Sequence, residues 1–291
     1  MGDQPFSSRQ FFLLVRHDFY AGTVLAWRKY LPVLLLFAAM CAYFLQSVSI
    51  AEMNNQIHAR PDFADYLIDV FKGIKIYHPS GENVEFQAPA AWLMLHAYIA
   101  YLVSDYPFRD LCGYGQQVLL RSKLRGQWWY CKCVWVSGSV VLCYLLGYLT
   151  LLLFSLCTGG ISLVPHKDIS LFASQVNSSK LTPEGILTVA ILLPMLTSIA
   201  LSLFQMFLSF YSNPVFGYSV IIGILVVSAF QCSPLLPGNY LMLLRSVCVT
   251  PQGVTVKDGI LADLCFLIFS VLAGAGYFSR YDILKKENVF H

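Results

Sequence analysis

LPVLLLFAAMCAYFLQSVSI, residues 31–50, carries no Asp, Glu, Lys or Arg. As a helix rising about 1.5 Å per residue, such a stretch covers about 30 Å, the thickness of a bilayer's hydrocarbon core. Five more apolar runs follow at residues 88–104, 128–157, 187–211, 215–231 and 260–278. Each is long enough to be read as a crossing. The pattern predicts an all-α polytopic membrane protein with six transmembrane helices and a single membrane domain over residues 1–291. Residues 211–214 leave room only for a tight hairpin between the fourth and fifth crossings.

Composition agrees. Of 291 residues, 57% are hydrophobic and 12% charged, with a mean hydropathy of +0.62. An ordinary soluble domain has about 25% charged residues, so soluble, disordered, fibrous and disulfide-scaffold classes are excluded. Six crossings at about 20 residues each leave enough chain for loops and ends but none for a separate soluble catalytic domain. The chain shows no internal repeat or low-complexity tract.

Before the first run, Arg9, Arg16, His17, Asp18, Arg28 and Lys29 stand in a stretch without a small-residue cleavage site. The reading is a retained N-terminus and not a cleaved signal peptide. Within residues 7–26, Phe11, Phe12, Leu14, Val15, Phe19 and Leu25 recur at roughly helical spacing, as in an interfacial helix. With both termini cytoplasmic, the inner segments hold 12 of the 19 Lys and Arg residues, although the outer loops at 51–87, 158–186 and 232–259 are much the longer. That bias predicts a multi-pass cell-membrane protein with both ends inside.

The outer loops carry patterns of their own. Phe63, Leu67, Val70, Phe71 and Ile74 share one helical face, with Asp62, Asp65, Asp69 and Lys72 elsewhere, predicting a short amphipathic helix at the outer surface. Pro79, Ser80 and Gly81 predict a turn. Tyr240 to Leu244 is too short to cross and suits a re-entrant or surface helix.

The inner segment 105–125 reads DYPFRDLCGYGQQVLLRSKLR. Pro107 interrupts the helix leaving the membrane, the glycine pair at 113 and 115 allows a turn, and residues 116–123 form about two helical turns. Trp128, Trp129 and Tyr130 then anchor the interface where the third crossing begins. By charge alone the segment is a positive-inside anchor. A rigid basic projection continuous with two crossings can also carry force from a partner.

The order of an amphipathic N-terminal helix, six crossings, a helical basic loop after the second and an apolar loop before the sixth resembles the membrane-spanning subunit of type-two ABC exporters. More narrowly, Tyr106-Pro107-Phe108-Arg109-Asp110, Gly113-Tyr114-Gly115-Gln116-Gln117, Arg121, Trp128-Trp129 and Lys132 resemble uncharacterised bacterial permeases of that group. The topological likeness covers the whole chain, the motif about thirty residues, and neither carries substrate information. The resemblance implies an ABC ATPase subunit as partner, a second permease subunit, identical or homologous, and membrane lipid, with no nucleic acid. It implies that Tyr106, Pro107, Phe108, Arg109, Asp110, Gln116, Gln117, Arg121, Lys123 and Arg125 form the ATPase-coupling segment. Residues 1–29 would supply a connecting helix along the inner surface. No G-x-x-x-x-G-K-[ST] loop is present, so no cofactor is expected in this chain, and ATP and Mg would belong to the partner. The first outer loop is longer than in many members of the group.

Polar groups within the crossings are the usual functional candidates. His96, Gln205 and Asp263 are candidate pathway-lining residues, although for His96 an imidazole hydrogen-bonded to a neighbouring helix is the favoured reading. Lys132 is expected to snorkel to the inner interface, and Pro194 to bend the fourth crossing. Gly138, Gly147, Gly217, Gly223, Gly274 and Gly276 permit close helix contact without a strict G-x-x-x-G. Cys232 and Cys248 share the last outer loop, and their pairing is left open. Asn177-Ser178-Ser179 is an isolated glycosylation sequon. No catalytic or metal residue is nominated. Two further classes are weighed beside a transporter: an intramembrane enzyme, for which no convergent acid or nucleophile set is visible, and a non-transporting sensor or immunity protein that binds a peptide through its outer loops.

Overall fold

The computed structural model describes residues 8–76, 88–121 and 125–280. Among the described residues the secondary structure is helical, with no strand and one isolated bridge, Ser246 to Val254.

Helix α1 (Ser8–Phe19) runs through a π turn (Tyr20–Val24) and a 3-10 turn (Trp27–Tyr30) into α2 (Leu31–Met53). Helices α3 (Phe63–Phe71), α4 (Ala90–Ser104), α5 (Tyr106–Leu111) and α6 (Tyr114–Arg121) precede the long α7 (Arg125–Thr158). Short α8 (Lys167–Phe172) and α9 (Pro183–Ile186) lead through a π segment (Leu187–Leu192) into α10 (Leu193–Tyr211). Helix α11 (Pro214–Phe230), 3-10 turns at Pro237–Leu241 and Leu243–Arg245, and α12 (Val256–Arg280) complete the chain. Helices α7 and α10 form the centre, with α2, α4, α11 and α12 packed around them.

Among the described residues, four helical stretches are long and apolar enough to cross a membrane: Trp27–Met53, Gly126–Thr158, Pro183–Tyr211 and Val256–Ser279. Helix α11 is apolar but has 17 residues, and α4 has 15. At about 1.5 Å per residue, 15 residues reach only about 22 Å.

The π segment before Pro194 has a local cause. Proline offers no N–H to the carbonyls of the preceding turn. Tyr148 of α7 donates its hydroxyl to the Ile191 carbonyl at 3.0 Å, and Tyr144 donates to the Pro194 carbonyl at 3.1 Å. The irregularity is thus supported by a neighbouring helix.

Helix α3 has its predicted sequence pattern but a different location. Every one of its residues from Ala64 to Phe71 is buried, and its aromatic rings pack against α2 and α7. It is an internal element and not a surface helix, because its acidic side chains are matched. Asp65 accepts from the Asp62 backbone at 3.0 Å and from the His166 backbone and Nδ1 at 3.0 and 2.9 Å, while Lys72 donates to Asp69 at 2.7 Å. Burial raises the Asp65 carboxyl above its ordinary value, and the His166 and Asp62 donors pull it back.

The turn predicted at residues 79–81 lies outside the described residues. Residues 237–245 are short 3-10 turns buried in the protein. Arg245 is 0% exposed, donating from Nε to the Ile74 carbonyl at 3.0 Å and from Nη2 to the Ala229 carbonyl in the last turn of α11 at 2.7 Å. With Leu244 N–H bonded to the Lys72 carbonyl at 3.0 Å, the segment after α11 is stitched to the segment after α3. Gly73, at φ 64°, passes against Met242, where a side chain would be strained twice over. Cys232 and Cys248 are both free thiols.

Candidate functional site

At the end of the bundle where α7 begins, an apolar stripe on α1 faces α7. Phe11, Val15, Asp18 and Gly22 recur at helical spacing along that stripe. The fit is close. A Cβ at Gly22 would lie 2.6 Å from the Trp135 indole nitrogen, and one at Gly138 would lie 2.4 Å from the Phe19 ring. Residues 8–19 are helical, but the apolar face expected over residues 7–26 divides, and its Phe12 and Leu25 are exposed. One flank packs on the bundle, while Phe12, Leu13, Tyr20 and Val24 stay exposed.

Asp18 interrupts this stripe and is only 3% exposed. Its Oδ1 accepts from Lys132 Nζ of α7 at 2.5 Å and from the Tyr106 hydroxyl of α5 at 2.9 Å. Lys132, 1% exposed, also pairs with Asp110 Oδ2 at 2.7 Å, and Asp110 accepts from Trp128 Nε1 at 3.2 Å. The ammonium lies over the Tyr106 and Trp128 rings, 4.9 and 5.1 Å from their centroids. One buried cation therefore joins α1, α5 and α7. Lys132 does not snorkel outward, because two carboxylates meet it inside the protein.

The electrostatics follow from burial. Desolvation raises Asp18 above its ordinary carboxyl value, against the attraction of Lys132. Burial, with Asp18 and Asp110 beside it, raises the Tyr106 hydroxyl, which therefore stays a donor. His17, Asp18 and Asp110 bring ligand-type atoms within 4.8 Å of one another. Because the Lys132 ammonium already bridges the two carboxylates, the donor set suits a salt bridge and not a metal ion.

A second tether runs alongside. Lys29 Nζ donates to Asp105 at 3.2 Å, Arg109 lies 3.4 Å from the same carboxylate, and the Tyr98 hydroxyl donates to the Lys29 carbonyl at 2.8 Å. His17 stacks on Tyr114 with centroids 4.4 Å apart.

The coupling residues named from the sequence thus divide. Tyr106 and Pro107 are buried, Asp110 turns inward to Lys132, and Phe108 stacks towards Phe210 at 6.2 Å. Arg109, whose side chain is 60% exposed, and Gln117 face outward with Tyr114, and Gln116 is half-buried. Lys123 and the side chains of Arg121 and Arg125 lie outside the described residues.

Pro107 stands in the first turn of α5, directly after the break at Asp105, as expected. Of the glycine pair, Gly113 lies in the expected turn between α5 and α6, its N–H on the Asp110 carbonyl at 3.0 Å, and Gly115 does not. Gly113 and Gly115 both have ordinary negative φ, and a Cβ at Gly115 would lie 2.5 Å from Asp110 Oδ2 and 2.9 Å from Trp128 Nε1. Gly115 is required for space and not for a turn. Trp128 and Trp129 are likewise not interface anchors. Both are buried against Phe210 and Phe278 at 5.2–5.9 Å, Trp129 donates to the Val271 carbonyl at 3.0 Å, and only Tyr130 faces out.

The candidate pathway residues lie apart from this cluster, and all three are buried. His96 Nδ1 contacts the Trp92 carbonyl at 2.8 Å and its Nε2 faces the Tyr144 hydroxyl at 3.4 Å, which in turn meets Ser198 Oγ at 2.7 Å. Gln205 donates to the Ala100 carbonyl at 2.9 Å, and Asp263 accepts from Thr197 at 2.7 Å. Each joins neighbouring helices.

Sequence reasoning passed over Asp18 and Arg245. For Asp18 the signal was present: a lone carboxylate at the centre of an apolar stripe. Arg245 followed five apolar residues, but its acceptors, the Ile74 and Ala229 carbonyls, leave no trace in composition.

Residues 35–284 match the family described as Protein of unknown function (DUF2705), and the chain belongs to that family. No curated protein matches the sequence.

Proposed function

We propose that this protein is the membrane-spanning permease subunit of an ABC exporter, moving an amphipathic or hydrophobic substrate such as a peptide or lipid-like molecule. ATP and Mg are bound by a separate nucleotide-binding subunit, and this chain performs no catalysis. A second permease subunit, identical or homologous, completes the pathway. Residues 88–104 and α11 act as the second and fifth of six crossings, each near the lower length limit of about 17 residues. Both termini lie in the cytoplasm and the protein resides in the cell membrane, with α1 along the inner surface and its exposed Phe12, Leu13 and Tyr20 in the lipid.

The observation that carries this reading is the two-sided α5–α6 segment. Its outer side presents Arg109, Tyr114 and Gln117 to solvent, and its inner side is joined by Lys132 to α1 and α7. A partner pushing on the outer side moves three elements together, because shifting α5 alone would strip a counter-charge from a buried cation. The aromatic contacts of Trp128 and Trp129 carry the displacement on to the ends of α10 and α12.

The test is purification of the tagged chain from its native host in mild detergent, with identification of bound proteins and an ATPase assay. A co-purifying nucleotide-binding subunit with ATP turnover is the expected result. A chain recovered alone under several solubilisation conditions overturns the assignment and favours the sensor or immunity reading.

A further inference from the structure

Asp263 of α12 differs from every other buried acid described above. Asp18 and Asp110 meet Lys132, Asp69 meets Lys72, and Asp65 meets His166. Asp263, 0% exposed, accepts from the Thr197 hydroxyl of α10 through Oδ2 at 2.7 Å, while Oδ1 has no partner among the described residues. The titratable groups that interact with it among the described residues are Tyr144 of α7 and Tyr240 of the segment after α11; Cys232 and Asp258 adjoin Tyr240, and the nearest cation on that side, Arg245, is turned to the Ile74 and Ala229 carbonyls and to Cys232. Neither Tyr144 nor Tyr240 is a cation.

An ionised carboxylate enclosed by apolar helices costs far more than one hydroxyl returns, and such groups neutralise instead. We infer that Asp263 is a proton-binding site: it holds a proton on Oδ1, the oxygen that receives no donor, while α10 and α12 are packed together, and releases it when they part. Release breaks the Oδ1–H bond, leaves the electron pair on the carboxylate and passes the proton to water. The site lies at the end of the bundle opposite Lys132, seven residues into α12 and so about 10 Å from the helix start. Its cover is thin. Tyr240 crosses α12 at Gly259, where a Cβ would come within 2.8 Å of the ring, and is held there by its hydroxyl on the Pro234 carbonyl at 2.7 Å. Moving that turn exposes Asp263 to solution at this end. The inference does not depend on an ATPase partner, and it is tested on the chain alone.

Infrared spectroscopy of the full chain in lipid nanodiscs reads the proton directly. The wild type shows a buried carboxylic-acid C=O stretch that Asp263→Asn lacks, and Thr197→Val, which deprives the carbonyl of its donor, moves that stretch to higher frequency. Should Asp263→Asn fail to fold, the Thr197→Val shift still decides. Alkaline titration of the wild type converts the band to carboxylate before the helices unfold. Loss of a carboxylate band in Asp263→Asn, no shift in Thr197→Val, or an acid band that persists until unfolding overturns the inference.

Discussion

Two buried cations stand at opposite ends of the bundle and are held in opposite ways. Lys132 is matched by two carboxylates from separate elements, Asp18 of α1 and Asp110 of α5, whereas Arg245 is matched by the Ile74 and Ala229 carbonyls with the Cys232 side chain beside it, and by no carboxylate among the described residues. A carbonyl staple is a fixed joint: its acceptors are backbone groups, one of them at the negative end of α11. A paired charge is a conditional joint. It binds strongly while its members are together and penalises any arrangement that separates them, which suits an element required to move as a unit.

The comparison breaks most visibly at Lys132. Lys132→Met leaves two buried carboxylates facing each other and is expected to cost about 3–5 kcal/mol. Thermal unfolding in detergent reads this, and adding Asp18→Asn and Asp110→Asn to Lys132→Met restores most of the loss. A triple variant no more stable than the single one contradicts the charge-matching account.

Arg245→Met leaves two carbonyls without their donor at about 1–3 kcal/mol each. Its expected signature is faster hydrogen exchange around residues 72–76 and 229–245 with none at α1. Exchange spreading to α1 would mean that the two ends are not independent.

Gly115→Ala forces a methyl against Asp110 and Trp128 and is expected to destabilise by about 1–3 kcal/mol. Gly113→Ala, whose Cβ meets nothing nearer than 3.5 Å, stays close to wild type. Equal melting temperatures for the two variants would remove the close-approach explanation.

A smaller effect is pH-dependent. Burial raises Asp18 in the docked helix above its free value, so the docked state binds a proton the more tightly. Docking of α1 is therefore strongest at acidic pH and weakens as pH climbs from about 4 through the raised value. Limited proteolysis of α1 across that range reads the change, and Asp18→Asn abolishes it. A cleavage rate that falls with rising pH reverses the sign and counts against the assignment.

What the sequence made legible, and what it did not, follows the range of each interaction. Apolar runs are local, and the helices fall close to them, although only four of the six expected crossings have the length to span a membrane among the described residues. Partners distant in the chain were invisible. Lys132 alone in an apolar run reads as a snorkelling residue, because nothing marks Asp18, 114 positions earlier, as its counter-charge. The acids of α3 read as a surface face because His166 stands 101 positions away from Asp65. Trp128 and Trp129 carry the composition of an interface belt, yet Phe210 and Phe278 draw them inside. Gly115 announced a turn by its residue type and serves a contact. The outward identity of Arg109 and Gln117 was readable only once Asp110 and Tyr106 were seen to turn in.

The most direct test of the coupling assignment is site-specific photo-cross-linking in the native host. A cross-linker at Gln117, on the outward side of α6, is predicted to capture a nucleotide-binding subunit, and one at Leu35, on the exposed face of α2, is not. Capture of no nucleotide-binding protein at Gln117, or equal capture from both positions, would contradict the account.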